Sequence, residues 1–149
     1  RWTTARQRTL AKQLSDAGAD LIIGSGPHMA GEAAQQDQSL VIYSIGNAVF
    51  NSNGEYQERG MPAYGFIVRL LVGTRQPQIQ LLPIFTDNKK TFWQPRPVNE
   101  AEFSTLITHL TQQGMPVIRE GETGTGWRAL TVDNECRLVM SLSECFGES

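Results

Sequence analysis

His28 and Asn47 are the two residues of this 149-residue chain whose setting points to chemistry rather than packing. His28 follows Pro27 just after the apolar run Leu21-Ile22-Ile23, and Asn47 follows Gly46 just after Leu40-Val41-Ile42-Tyr43-Ser44-Ile45. Each run has the grammar of a short buried strand whose C-terminal end opens into a loop. Gly24, Gly26 and Gly46 stand beside the polar side chains, as expected where backbone must come close to a ligand. An imidazole on a loop edge can bind a metal, carry a proton or hydrogen-bond backbone, and Asn47 can donate or accept at a ligand or simply tolerate a turn. Ser44 offers a hydroxyl, but no base stands near it in sequence to make it a nucleophile. Glu58-Arg59, in the stretch 51–62, offers a planar guanidinium to an anion or a solvated loop pair.

The elements that must position these residues are legible from periodicity. Thr3 or Thr4 caps a helix with Leu10, Ala11, Leu14 and Ala17 at helical spacing, and Gly18 stops it. Strands are predicted over Asp20–Ile23 and Leu40–Ser44. Gly31–Gln38, with three glutamines, reads mainly as surface. Tyr64–Val72, apolar on both faces, reads as a strand inside a sandwich, paired through Gly73-Thr74-Arg75-Gln76 with Pro77–Phe85 as an antiparallel hairpin. Asn99 and Glu102 form a capping box for a helix with Phe103, Leu106, Ile107 and Leu110 on one face, closed by Gly114. His109 falls off that stripe and is expected to face solvent. Trp127–Val132 and Arg137–Leu142 read as a second hairpin around Asp133-Asn134-Glu135. Lys89, Lys90, Phe92, Trp93 and Arg96 either grip an acidic polymer or form a solvated connection with the aromatics tucked onto the core.

Several of these segments resemble the CapA-like family of bacterial capsule and poly-γ-glutamate biosynthesis proteins, which have a calcineurin-like metallophosphatase fold. The carrying residues are Arg6-Gln7 through Leu14, Asp16-Ala17-Gly18-Ala19-Asp20-Leu21-Ile22-Ile23-Gly24, Pro27-His28 and Ile42-Tyr43-Ser44-Ile45-Gly46-Asn47-Ala48-Val49-Phe50-Asn51. Glu58-Arg59-Gly60 through Leu71 and Leu81 to Pro83 extend the likeness, which covers residues 5–113. It implies an α/β fold, a layered metallophosphatase-like αββα sandwich present in part, with residues 114–149 as a C-terminal extension carrying the second hairpin. It implies a metal-dependent hydrolase of phosphoester-like centres in the complete domain, with one or two divalent metal ions activating water.

By the same resemblance His28 is a metal ligand, and His28 and Asn47 are the catalytic pair. Ser44, Gly46 and Arg59 line the substrate side, the partners being an anionic polymer or phosphoester and an N-terminal half of the domain. The location implied is the cell envelope, outside the cytoplasm. Two departures matter. Gly26 stands where the family has the first histidine of its motif, and the family's other ligands should precede this segment. The chain by itself is therefore expected to hold no transition metal, and a degenerate module binding polymer or a partner is the alternative function.

Composition bounds the rest. A net charge of −2 argues against a nucleic-acid partner, which calls for a basic field. No apolar run approaches the roughly 20 residues of a membrane span. An exported protein would make a disulfide natural for the two cysteines, Cys136 and Cys145. A strand between them would carry the chain about 20 Å, however, leaving three residues to return it to bridging distance.

Overall fold

The computed structural model describes residues 3–49 and 62–146, which form a mixed α/β structure with two sheets. Helix α1 (Ala5–Asp16) opens it with Thr4 as N-cap. The Thr4 hydroxyl accepts from Gln7 N–H while the Gln7 side chain accepts from Thr4 N–H, so two orphan donors are satisfied reciprocally. Gly18, at φ +93°, takes the left-handed position just past the end. Strand β1 (Leu21–Ile23) then pairs in parallel with β3 (Ser39–Ile42), and β2 (Ala33–Gln36) pairs antiparallel on β3's other side, giving the order β1-β3-β2.

Strand β2 corrects the expectation of a surface segment over Gly31–Gln38. Asp37 adopts φ +51° in the turn, Gln36 opposes Ser39, and a hairpin forms. The glutamines mask it in sequence because β2 is an edge strand with a wet side, while Ala33 is fully buried opposite Ile42.

The second sheet has the order β4-β5-β9-β8-β7, with β6 (Arg96–Pro97) pairing β5. Strands β4 (Tyr64–Leu71) and β5 (Gln78–Phe85) make the expected antiparallel hairpin. Helix α2 (Asn88–Thr91) and helix α3 (Glu100–Gln113) follow, then β7 (Val117–Ile118). Strands β8 (Trp127–Val132) and β9 (Glu135–Ser141) form the second hairpin, and helix α4 (Leu142–Phe146) ends the described chain. The hairpin turn is Asp133-Asn134, both at positive φ, the geometry that suits the twist of the flanking strands. Strand β9 pairs with β5, so residues 136–141 are part of the same sheet as the β4–β5 hairpin.

One core joins the two sheets. Leu40 and Ile42 of β3 pack with Phe66, Ile79, Leu81, Leu138 and Trp127 of the larger sheet and with Phe103, Leu106, Ile107 and Leu110 of α3. Val41 of β3 and Tyr43 just after it face the other way onto Ala11 of α1. Both faces of β3 are thus dry, which is why Leu40–Ser44 reads as a continuous apolar run. The capping box of α3, Asn99 with Glu102, and the left-handed Gly114 at its end are as the sequence predicts.

Four expectations are corrected. Of the stripe on α1 only Ala11 is buried, and Leu10 and Leu14 are exposed because the helix meets the small sheet through that alanine. Strand β4 is an edge strand dry on both sides only at Tyr64–Phe66; Ile67 and Leu70 are exposed on this edge, although their partners on β5, Leu82 and Ile79, are buried. Phe92 is 77% exposed and Trp93 46%, each with a left-handed backbone that turns the ring outward rather than onto the core. His109 is half-buried rather than solvent-facing, and burial lowers its pKa below the usual 6.5. Cys136 and Cys145 are both free thiols.

Candidate functional site

Three backbone segments cross at the C-terminal ends of β1 and β3, and glycine is what lets them. Gly24 N–H donates to Ile42 O at 2.7 Å, and Ile45 N–H returns to Gly24 O at 3.0 Å. Ala30 N–H donates to Tyr64 O and Phe66 N–H to Ile45 O, each at 2.7 Å, so the loop after β1, the loop after β3 and strand β4 are stitched together. A side-chain carbon on Gly46, which sits at φ +71°, would lie 2.8 Å from backbone atoms of Met29, Ala30 and Tyr64. One on Gly65 would lie 2.2 Å from Asn47 O. Neither position admits any other residue without moving main chain.

This crossing sets His28 and Asn47 side by side. The His28 Nδ1 and Asn47 Oδ1 atoms are 3.1 Å apart, although the residues lie on separate loops. Both side chains are half-buried. His28 reaches its place with φ +65°, an uncommon backbone for a non-glycine residue that the surrounding stitches hold in position. The amide oxygen can only accept, so in this contact the hydrogen sits on Nδ1.

The other expected residues fall differently. Ser44 is buried, its hydroxyl donating to Met29 O at 2.8 Å and accepting from Gly46 N–H at 3.1 Å. Its hydrogen-bonding capacity is directed into the fold, where it holds the Gly46 turn. Gly46 itself acts through its missing Cβ. Arg59 and Glu58 lie outside the described residues. Gly26 stands at φ +120° with open space where a side chain would go.

Sequence reasoning missed the pair formed by Arg8 of α1 and Glu32 before β2. The Arg8 guanidinium donates to the Glu32 carboxylate, which is buried, and lies 5.2 Å from the centre of the Tyr43 ring. No local pattern signals a contact between residues 24 positions apart. In the basic, aromatic stretch, Arg96 is bidentate to Glu102 at 2.6 and 2.7 Å, and Lys90 lies 3.7 Å from Asp87. Arg96 and Lys90 are thereby partly neutralised, and both approach the Phe85 ring.

A catalytic zinc takes three protein donors. Among the described residues no group of three or more His, Cys, Asp or Glu side chains converges anywhere, and the His28 edge supplies one imidazole and one amide. The described donors at this edge do not by themselves complete a zinc centre.

Residues 1–52 match the family model described as bacterial capsule synthesis protein PGA_cap. The chain is 46% identical over 46 residues to the PGA biosynthesis protein CapA of Bacillus subtilis (strain 168), a match covering 31% of this chain and 12% of that protein. It is likewise 46% identical over 46 residues to the capsule biosynthesis protein CapA of Bacillus anthracis, covering 31% of this chain and 11% of that one. The chain thus spans a small part of the relatives it matches. Over residues 1–52, the stretch that holds both His28 and Asn47, the chain is similar to CapA-like capsule synthesis proteins.

Proposed function

We propose that this chain serves capsule or poly-γ-glutamate synthesis or export at the cell envelope, with Pro27–His28 and Gly46–Asn47 forming one wall of a ligand site on a metallophosphatase-like sandwich. The observation that carries the reading is the 3.1 Å contact between His28 Nδ1 and Asn47 Oδ1, made by two loops that both lie in the family-matched stretch. Asn47 holds the plane of the imidazole where the two loops meet, the arrangement by which a polar neighbour orients a working histidine. Gly46 and Gly65 supply the close approach, and Ser44 holds the turn. The cell-envelope location comes from the capsule relatives; no described helix is long and apolar enough to cross a membrane.

A divalent ion in the complete domain, with His28 as one of its ligands, and an anionic polymer or phosphoester as substrate are part of this proposal. The described donors do not complete such a centre, so the role assigned to this chain's own residues is to orient the imidazole and shape the wall of the site. The second reading is a non-catalytic module that binds polymer or a partner. It is favoured by Gly26, whose φ of +120° is hostile to the histidine that stands there in the family.

The test is polymer production in cells lacking their own copy of the gene and supplied with the full-length protein carrying His28→Ala, Asn47→Ala or Asn47→Asp. Loss of polymer with both alanine variants at normal protein level is expected, with partial retention for Asn47→Asp, which keeps an acceptor for Nδ1–H. Normal polymer with His28→Ala would exclude His28 from the function.

A further inference from the structure

The outer face of the larger sheet carries a cleft of about 810 Å³, lined by Arg75, Gln78, Arg128, Val139, Ser141 and Leu142 among others. That is within the range of real ligand sites. The cleft shares no residue with the His28–Asn47 edge.

Register places more charge on the same face. Arg128 opposes Val139, Val139 opposes Gln80 and Gln80 opposes Arg69, a row across β8, β9, β5 and β4. Arg137 lies on this face two residues along β9 from Val139. With Arg75 in the β4–β5 turn at its edge, this face gathers four of the chain's thirteen basic residues in a protein whose net charge is −2. Two carboxylates offset them. Glu135 binds Arg137 at 2.7 Å, and Glu144 accepts from Gly126 N–H at 3.3 Å. Arg75 and Arg128 are exposed, and among the described residues neither is paired with a carboxylate; Arg128 donates to Gly124 O at 3.3 Å. Exposed guanidinium forks over a cleft are suited to planar anions, above all carboxylates held bidentately.

The remaining lining narrows the ligand. Gln76, Gln78 and the hydroxyl pair Ser141–Ser143, 2.7 Å apart, offer donors and acceptors matched to amide groups, and Pro77, Val139 and Leu142 give an apolar floor. A polyphosphate would leave the acceptors and the floor unused. A peptide would use both.

We propose that this cleft and its arginine row bind an extended acidic peptide segment of a partner protein, with Arg75 and Arg128 taking its carboxylates. The proposal goes beyond the capsule reading and does not depend on it. The test uses the full 149-residue chain and a fluorescein-labelled 12-residue peptide alternating Glu and Ala, read by anisotropy at low and moderate salt. Binding that weakens as salt rises, that drops at least tenfold in Arg75→Ala/Arg128→Ala, and that is unchanged in Lys89→Ala/Lys90→Ala is the expected result. The substituted arginines are exposed, and an unchanged circular dichroism spectrum confirms folding. No binding, equal binding of the Gln/Ala peptide, equal binding of a labelled polyphosphate of the same charge, or loss through the lysine pair instead would each overturn the proposal.

Discussion

At Gly65 and Gly46 the absence of a side chain is a steric requirement that can be measured. Gly65→Ala and Gly46→Ala should each lower the unfolding free energy by about 2–3 kcal/mol, or block folding, since the added methyl meets main chain and overpacking against backbone is not relieved by rotamer change. Gly26→His is a different case. Space is open around it, but φ +120° strains any L residue, so a loss of about 1–3 kcal/mol without gain of metal is expected in urea denaturation and elemental analysis. Titration gives a further handle. Burial holds His109 below its ordinary 6.5, so the unfolded chain takes up a proton first and stability falls as pH drops from 6.5 toward the folded value. His109→Gln should flatten that part of the profile. The Arg96 guanidinium, hydrogen-bonded to Glu102, holds that carboxyl below 4.5. Its contribution is present above pH 4.5 and is lost as pH falls through the lowered value, a loss that Arg96→Gln should abolish in acid-unfolding curves.

At the scale of elements, the termini of α3 and α1 are set by matching devices, Asn99–Glu102 and Thr4–Gln7. Asn99→Ala should cost about 1 kcal/mol of stability, and slightly more than Thr4→Ala because Glu102 also anchors Arg96. Those two helices were legible because caps and apolar spacing are local signals. The β4–β5 and β8–β9 hairpins were legible because their turns are short and rich in turn-forming residues. Strand β2 was not, since its dry side is only alanine and its pairing partner fixes it from outside. The solvent exposure of Leu10, Leu14, Ile67 and Leu70 was equally hidden, because apolar periodicity reports which face is greasy and not whether anything covers it. The proximity of His28 and Asn47 could be foreseen from two strands ending in one direction, whereas the Arg8–Glu32–Tyr43 cluster and the arginine row depend on register between distant segments.

For the molecule as a whole, the residues present limit what the chain can do alone. Purified as these 149 residues, it is expected to bind no stoichiometric zinc, manganese or iron and to hydrolyse no generic phosphodiester. Elemental analysis with a bis-nitrophenyl phosphate assay would show this, and chelator-sensitive turnover lost in His28→Ala would refute it. The crossing at Gly46 and Gly65 bears on motion as well as packing. Ala30 N–H to Tyr64 O and Phe66 N–H to Ile45 O are hydrogen bonds that tie the loops leaving the small sheet to strand β4 of the larger one. Neither sheet can open there without breaking bonds held by the other, so the small sheet has no private route to unfolding. In native-state hydrogen exchange the amides of Ala30, Ile42 and Phe66 should therefore share one opening free energy and one denaturant dependence. The loops bearing His28 and Asn47 are thus tied to both sheets, so a ligand arriving there meets a frame already set rather than one that closes around it.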